Sequence, residues 1–136
     1  MIVVGPIVAA AIVDDADHRA YVDLFTGLHL AGRRRLISPL VVAEVCYMIG
    51  RESNAAETDF VPSIRVGDSE LVHLTDEDLD RIAHLVDTYR DLKLGATDAS
   101  VIAIGERYGL DEMATLDHRH FTVVRPSHLE ALTLVP

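Results

Sequence analysis

The chain opens with an apolar, β-branched run, Ile2-Val3-Val4, which predicts a short buried strand. Gly5-Pro6 breaks the run, and Ile7 to Val13 resumes as a small apolar helix. Asp14-Asp15-Ala16-Asp17 starts a second helix with acids at its positive end. Ala20, Leu24 and Leu28 share one face of its continuation, His18 to Leu30. After a basic turn, Leu36-Ile37 predicts a strand, and Ser38-Pro39 reads as an N-cap with proline at the first helical position. The helix it opens runs from Leu40 to Ile49 and frays near Gly50. Asn54 to Gly67 predicts a short helix broken around Pro62, and Glu70 to Leu74 an alternating strand. Thr75-Asp76-Glu77-Asp78 has the form of a capping box. The long helix behind it spans Glu77 to about Leu92, with Leu79, Ile82, Ala83, Leu85, Val86 and Tyr89 as its core face. Thr97 is expected to cap a helix from Asp98 to Tyr108 that Gly109 ends. Glu112 to Leu116 reads as a strand with Asp117 at its end, and Val123-Val124 and Leu132 to Val135 as edge strands.

Short apolar strands that alternate with helices predict an α/β fold, a parallel sheet with helices on both faces. In such sheets ligands gather beyond the carboxyl ends of the strands. The length of 136 residues suits one domain, residues 1–136, and 49% hydrophobic content excludes a disordered chain. The longest apolar stretch, Ile2 to Val13, is too short to cross a bilayer, and no basic residue precedes it as in a signal peptide. A single cysteine, Cys46, excludes an internal disulfide and fits a reducing cytoplasm. The net charge of -10 repels nucleic acid unless a divalent cation or a basic partner reverses it locally.

Three acids stand in apolar company. Glu44 lies within LVVAEVCYMI, with no lysine or arginine three or four residues away. Asp98 begins the apolar ATDASVIAIG, and Asp117 follows Met113-Ala114-Thr115-Leu116. Each has an ordinary reading: Asp98 suits the first turn of a helix, Asp117 a turn, Glu44 a polar helix side. Together they suggest a cup of carboxylates at the carboxyl edge of the sheet. Grouped carboxylates repel, and a hard divalent cation such as magnesium or manganese removes that cost. Thr97 and Thr115 adjoin two of the acids and can orient a ligand or water. Arg33-Arg34-Arg35, and Arg119 between His118 and His120, are the candidate phosphate holders, with a solvated turn as the plain alternative for the arginine run.

The words SPLVVAEVCYMI, KLGATDASVIAIGERYG and ATLDHRHF, with the closing FTVVRP, resemble the PIN domain, in particular VapC-type toxins of bacterial toxin–antitoxin pairs. The resemblance covers nearly the whole chain. It implies a three-layer α/β/α sandwich around a central parallel sheet of four to five strands. It also implies four clustered acids and Mg2+- or Mn2+-dependent cleavage of RNA. Glu44, Asp98 and Asp117 match three of the four catalytic, metal-holding acids. The fourth is an Asp that closes the first strand in the family, whereas here Val4 runs directly into Gly5. The resemblance further implies a cognate antitoxin, an RNA substrate, a homodimer within a toxin–antitoxin hetero-oligomer, and no membrane. The missing Asp favours low activity, or a member that only binds antitoxin or RNA. A receiver-like phosphotransfer regulator is the reading from another class. It needs a lysine at the sheet's carboxyl edge, and the lone lysine, Lys93, precedes the Asp98 helix.

Overall fold

The computed structural model describes residues 1–4, 15–65, 68–115 and 118–135. The apolar helix expected over Ile7 to Val13 lies outside them, as do Gly5, Asp14 and Asp117. The strands are β1 (Ile2–Val4), β2 (Arg35–Ile37), β3 (Ser69–Leu71), β4 (Glu112–Ala114) and β5 (Thr133–Val135). The helices are α1 (Asp15–Leu30), α2 (Pro39–Glu52), α3 (Asn54–Ser63), α4 (Asp76–Thr88), α5 (Ala96–Tyr108) and the single turn α6 (His118–Phe121). All strand pairs are parallel, in the order β3-β2-β1-β4-β5. The order reverses direction at β1, so the β1–β4 gap is the place where such a sheet offers a crevice at its carboxyl end.

Neighbouring strand residues point to opposite faces, and register aligns Ile37, Ala114 and Val135 on one side of the sheet. Leu28 of α1 packs with Ala114, Leu24, Phe25 and Val135 on that side. The main core joins Leu36, Met113 and Leu134 to Val41, Val45 and Ile49 of α2, Ile82 and Leu85 of α4, and Ala99, Val101 and Ile102 of α5. Among the described residues no helix is long and apolar enough to cross a membrane.

Several elements differ from the sequence expectation for local reasons. The helix α2 continues through Gly50 to Glu52, and Ser53 both closes it and caps α3. The helix α3 stops at Ser63, one residue beyond Pro62, which lacks the N–H needed to continue the ladder. The strand β3 is shorter and begins earlier than Glu70 to Leu74. Val123-Val124 forms a turn and coil rather than an edge strand. The capping box is present: Thr75 accepts from the Asp78 N–H at 3.1 Å, and Asp78 accepts from the Thr75 N–H at 2.9 Å. Asp78 also pairs with Arg107 at 3.1 Å. These bonds turn Asp78 inward, so Leu79 and Ala83 face solvent while Ile82 and Leu85 are buried. The expected long helix ends at Thr88 and passes through a 3-10 turn, Arg90–Leu92, to Lys93 in the left-handed region. Gly109, with φ +64°, closes α5 as expected.

A second ionic link crosses the same helix pair. Arg81 donates to both Glu106 oxygens at 2.8 Å, and the Ser127 N–H donates to Glu106 at 2.8 Å. Burial pushes the Glu106 carboxyl up, but the Arg81 hydrogen bonds and charge with the Ser127 N–H hold it below its ordinary 4.5. A carboxyl lowered in the folded state contributes stability above pH 4.5, and that contribution is lost as pH falls through its folded value. Arg81→Ala strands the mostly buried Glu106 charge and is expected to cost about 3 kcal/mol at pH 7. Urea unfolding of the wild type and the variant at pH 7 and at pH 3 checks this: the difference shrinks in acid.

Candidate active site

The site begins with a chain of hydroxyls. Ser38 sits in extended conformation after β2 and caps α2, accepting from the Leu40 N–H at 3.2 Å. Its Oγ lies 2.6 Å from Ser100 Oγ, and Ser100 lies 2.6 Å from the Thr97 carbonyl. A carbonyl only accepts, so Ser100 donates to Thr97 and Ser38 must donate to Ser100. Both serines are fully buried. The chain binds the amino end of α2 to the amino end of α5 at the carboxyl edge of the sheet.

That junction sets Glu44 of α2 against Thr97 and Asp98 of α5. The Glu44 carboxyl is raised above its ordinary value by burial first and by the Asp98 charge second, while a hydrogen bond from Thr97 lowers it. Thr97 is therefore not the N-cap expected from sequence. Gly95 holds that position, and the Thr97 side chain is drawn away to Glu44. Glu44 Oε2 is buried without a hydrogen-bond partner among the described residues. Such an oxygen is costly to desolvate, and two adjacent carboxylates compound the cost. An oxygen-rich, negative site with an orphaned acceptor fits a hard divalent cation.

Asp98 Oδ2 accepts from His120 Nδ1 at 2.8 Å, and both side chains are mostly buried. His118, on the same turn, donates through Nε2 to the Thr115 carbonyl at 3.1 Å. Thr115 is fully buried just beyond β4, and its N–H bonds to Val135 O at 3.0 Å. Arg119 lies exposed between the two histidines. No group of three His, Cys, Asp or Glu side chains able to hold an ion occurs among the described residues. Asp117, the expected third acid, lies outside them.

The structure does not bring Arg33-Arg34-Arg35 to the acids. These residues lead into β2 and stand at the amino end of the parallel sheet, opposite Ser38. Arg33 pairs with Glu112 and reaches Met1 O at 3.2 Å, Arg34 pairs with Glu70, and Arg35 turns inward to Ser69. Acids on β4 and β3, distant in sequence, claim the first two charges, which a basic run alone does not reveal. The sequence reading also missed the Ser38–Ser100 link and the specific contact of His120 with Asp98. The signal for the first was a serine within the apolar run SVIAIG, since a buried hydroxyl needs a partner.

Two outcomes follow. Ser100→Ala leaves the buried Ser38 hydroxyl without its acceptor and is expected to cost about 1–3 kcal/mol in urea unfolding. Because the Glu44 carboxyl is raised in the fold, its contribution to stability is full below pH 4.5 and is lost as pH rises through the folded value. Glu44→Gln is therefore expected to raise Tm by about 3 °C at pH 7.5 in chelator, and by less at pH 4.

The PIN domain model matches residues 4–125. The chain is 31% identical over 102 residues to Ribonuclease VapC26 of Mycobacterium tuberculosis, covering 74% of this chain and 76% of that protein. The fold is similar to that of VapC20 of M. tuberculosis, a Sarcin-Ricin loop cleaving toxin, with a TM-score of 0.75 and 16% identity over 87% of this chain and 91% of that one. It is also similar to FitAcB from Neisseria gonorrhoeae, with a TM-score of 0.64 and 14% identity over 100% and 97% of the two chains. By the reach of the family match and this identity to a VapC ribonuclease, the chain belongs to the PIN domain family.

Proposed function

We propose that this protein is a metal-dependent endoribonuclease toxin of a toxin–antitoxin pair, acting in the cytoplasm as one PIN-like α/β/α domain. The observation that carries this is the buried, partnerless Glu44 oxygen beside Asp98 in a PIN-family chain. Glu44, Asp98 and Asp117 would hold Mg2+ or Mn2+, which when bound supplies positive charge for an RNA phosphate and makes a water more acidic. Thr97 orients Glu44 by donating to it, and the buried Thr115 is the matching support beside Asp117. His120 fixes the Asp98 carboxylate through one oxygen and leaves the other oxygen to face an ion. A carboxylate of the cluster receives the proton of the attacking water. Arg119, on the exposed turn, is the side chain of this region suited to an RNA phosphate. Arg33 and Arg34 would touch only RNA that extends past the far end of the sheet, and the buried Arg35 faces inward. The partners are a cognate antitoxin and a second copy in a hetero-oligomer, and a basic antitoxin segment suits the acidic site.

A second reading has its own observation: Val4 runs into Gly5 without the acid that closes the first strand in the resembling toxins. With one ligand fewer, the protein binds antitoxin or RNA without cutting it.

Incubation of the purified chain with total RNA and manganese separates the two. The first reading expects chelator-sensitive cleavage that falls by about 100-fold or more in Glu44→Gln and Asp98→Asn, since even supporting residues of metal sites cost 10–100-fold. RNA binding without cleavage, in a chain whose Tm manganese does not raise, establishes the second reading.

A further inference from the structure

Along α2 the exposed positions Ala43, Tyr47 and Arg51 follow one another at a spacing of four residues. Glu44, the half-buried acid of the candidate site, borders this stripe. At about 100° per residue, Tyr47 and Arg51 leave the helix within about 60° of its direction. They stand about 4.5 Å and about 10 Å further along the helix axis, leading away from the carboxyl edge of the sheet. Tyr47 is 67% exposed and is the one exposed large apolar side chain of α2. The Arg51 guanidinium lies 5.8 Å from the centre of the Tyr47 ring.

No packing contact accounts for this pair. Arg51 meets no acid among the described residues, whereas Arg33, Arg34, Arg81 and Arg107 each have a carboxylate. Glu57 of α3 is close by, but its carboxylate lies against Gly50 on another side of α2. Stacking on Tyr47 steadies the guanidinium and leaves its N–H donors free for an anion. The largely exposed ring in turn keeps surface for a second stacking partner. An aromatic face beside a cation is how proteins hold single-stranded nucleic acid, with bases on the ring and phosphates on the charge. The pair also eases the approach to the acids. A strand led to Glu44 and Asp98 meets the negative end of a chain with net charge -10, and a cation on the way offsets that repulsion. A stable protein interface needs about 800 Å² from each side around an apolar centre. Tyr47 instead stands between Ala43, Arg51 and Glu52, which suits a single base better than a second protein.

We propose that Tyr47 and Arg51 form a holding site for single-stranded RNA along α2, with a base near the scissile phosphate stacked on Tyr47 and a phosphate further along the strand on Arg51. The proposal rests on the ribonuclease reading of Glu44 and Asp98 and adds the path by which the strand reaches them.

The probe is a fluorescein-labelled uridine strand of about twelve nucleotides, with an abasic strand of the same length for comparison. Binding to the full chain is read by anisotropy in calcium, and cleavage separately in manganese. Tyr47→Ala is expected to weaken the uridine strand by about tenfold and to leave the abasic strand unchanged, while Tyr47→Phe keeps wild-type affinity. Arg51→Gln weakens both strands and lowers the slope of log affinity against log salt by about 0.7. Both positions are exposed, so Tm stays within about 2 °C of wild type. The proposal is overturned by absent binding of the uridine strand, by unchanged affinity in Tyr47→Ala and Arg51→Gln, or by an equal loss for both strands in Tyr47→Ala. It is also overturned if the variants dissociate a dimer in gel filtration and leave RNA affinity as it was, since the face then joins two copies of this chain. Failure of the ribonuclease reading shows separately, as absent cleavage in manganese by a chain whose uridine binding still depends on Tyr47.

Discussion

The candidate site depends on keeping two carboxylates close together, with no lysine or arginine of the described residues seen to pair with either. Glu44 and Asp98 come from different helices, and neither is paired with lysine or arginine. Their repulsion is partly offset by one hydroxyl, from Thr97, and one imidazole, from His120. The rest of the fold must therefore hold α2 and α5 against that repulsion. The Ser38–Ser100–Thr97 chain does this directly, and the apolar packing of Val41, Val45, Ala99 and Ile102 does it over a larger area. Repulsion at the acids and cohesion beneath them are two sides of one arrangement.

Charge is sorted between the two ends of the sheet. At the amino end, arginines meet acids in ordinary pairs, and Arg33 with Glu112 ties the entry of β2 to the start of β4. At the carboxyl end, Glu44 and Asp98 meet without such a pair among the described residues. In a chain with net charge -10, basic residues used in structural pairs leave the end that carries Glu44 and Asp98 negative. That end then selects strongly for cations, whether an ion or a basic side chain.

Much of this was legible in the sequence. The parallel α/β reading followed from short β-branched runs between helical periods, and the Ser38-Pro39 and Thr75–Asp78 caps appear where their spelling predicts them. Glu44 stood out because an acid in LVVAEVCYMI has no local partner. What the sequence hid was long-range. Thr97 has the spelling of an N-cap, yet Glu44, fifty-three residues earlier in the chain, takes its hydroxyl. Leu79 fits the apolar period of α4, yet the inward turn of Asp78 to Arg107 rotates it outward. The arginine run looked like a phosphate clamp because strand neighbours that neutralise it are distant in sequence.

The strand order carries a consequence for how the molecule is made. The first strand of the chain lies in the middle of the sheet, hydrogen-bonded on one side to β2 and on the other to β4, more than a hundred residues later. During synthesis β1 can pair on one edge early, but its other edge stays open until β4 has left the ribosome. The crevice between β1 and β4 exists only after that late insertion. A nascent chain therefore lacks this carboxyl-edge crevice for most of its translation and gains it only when the sheet closes.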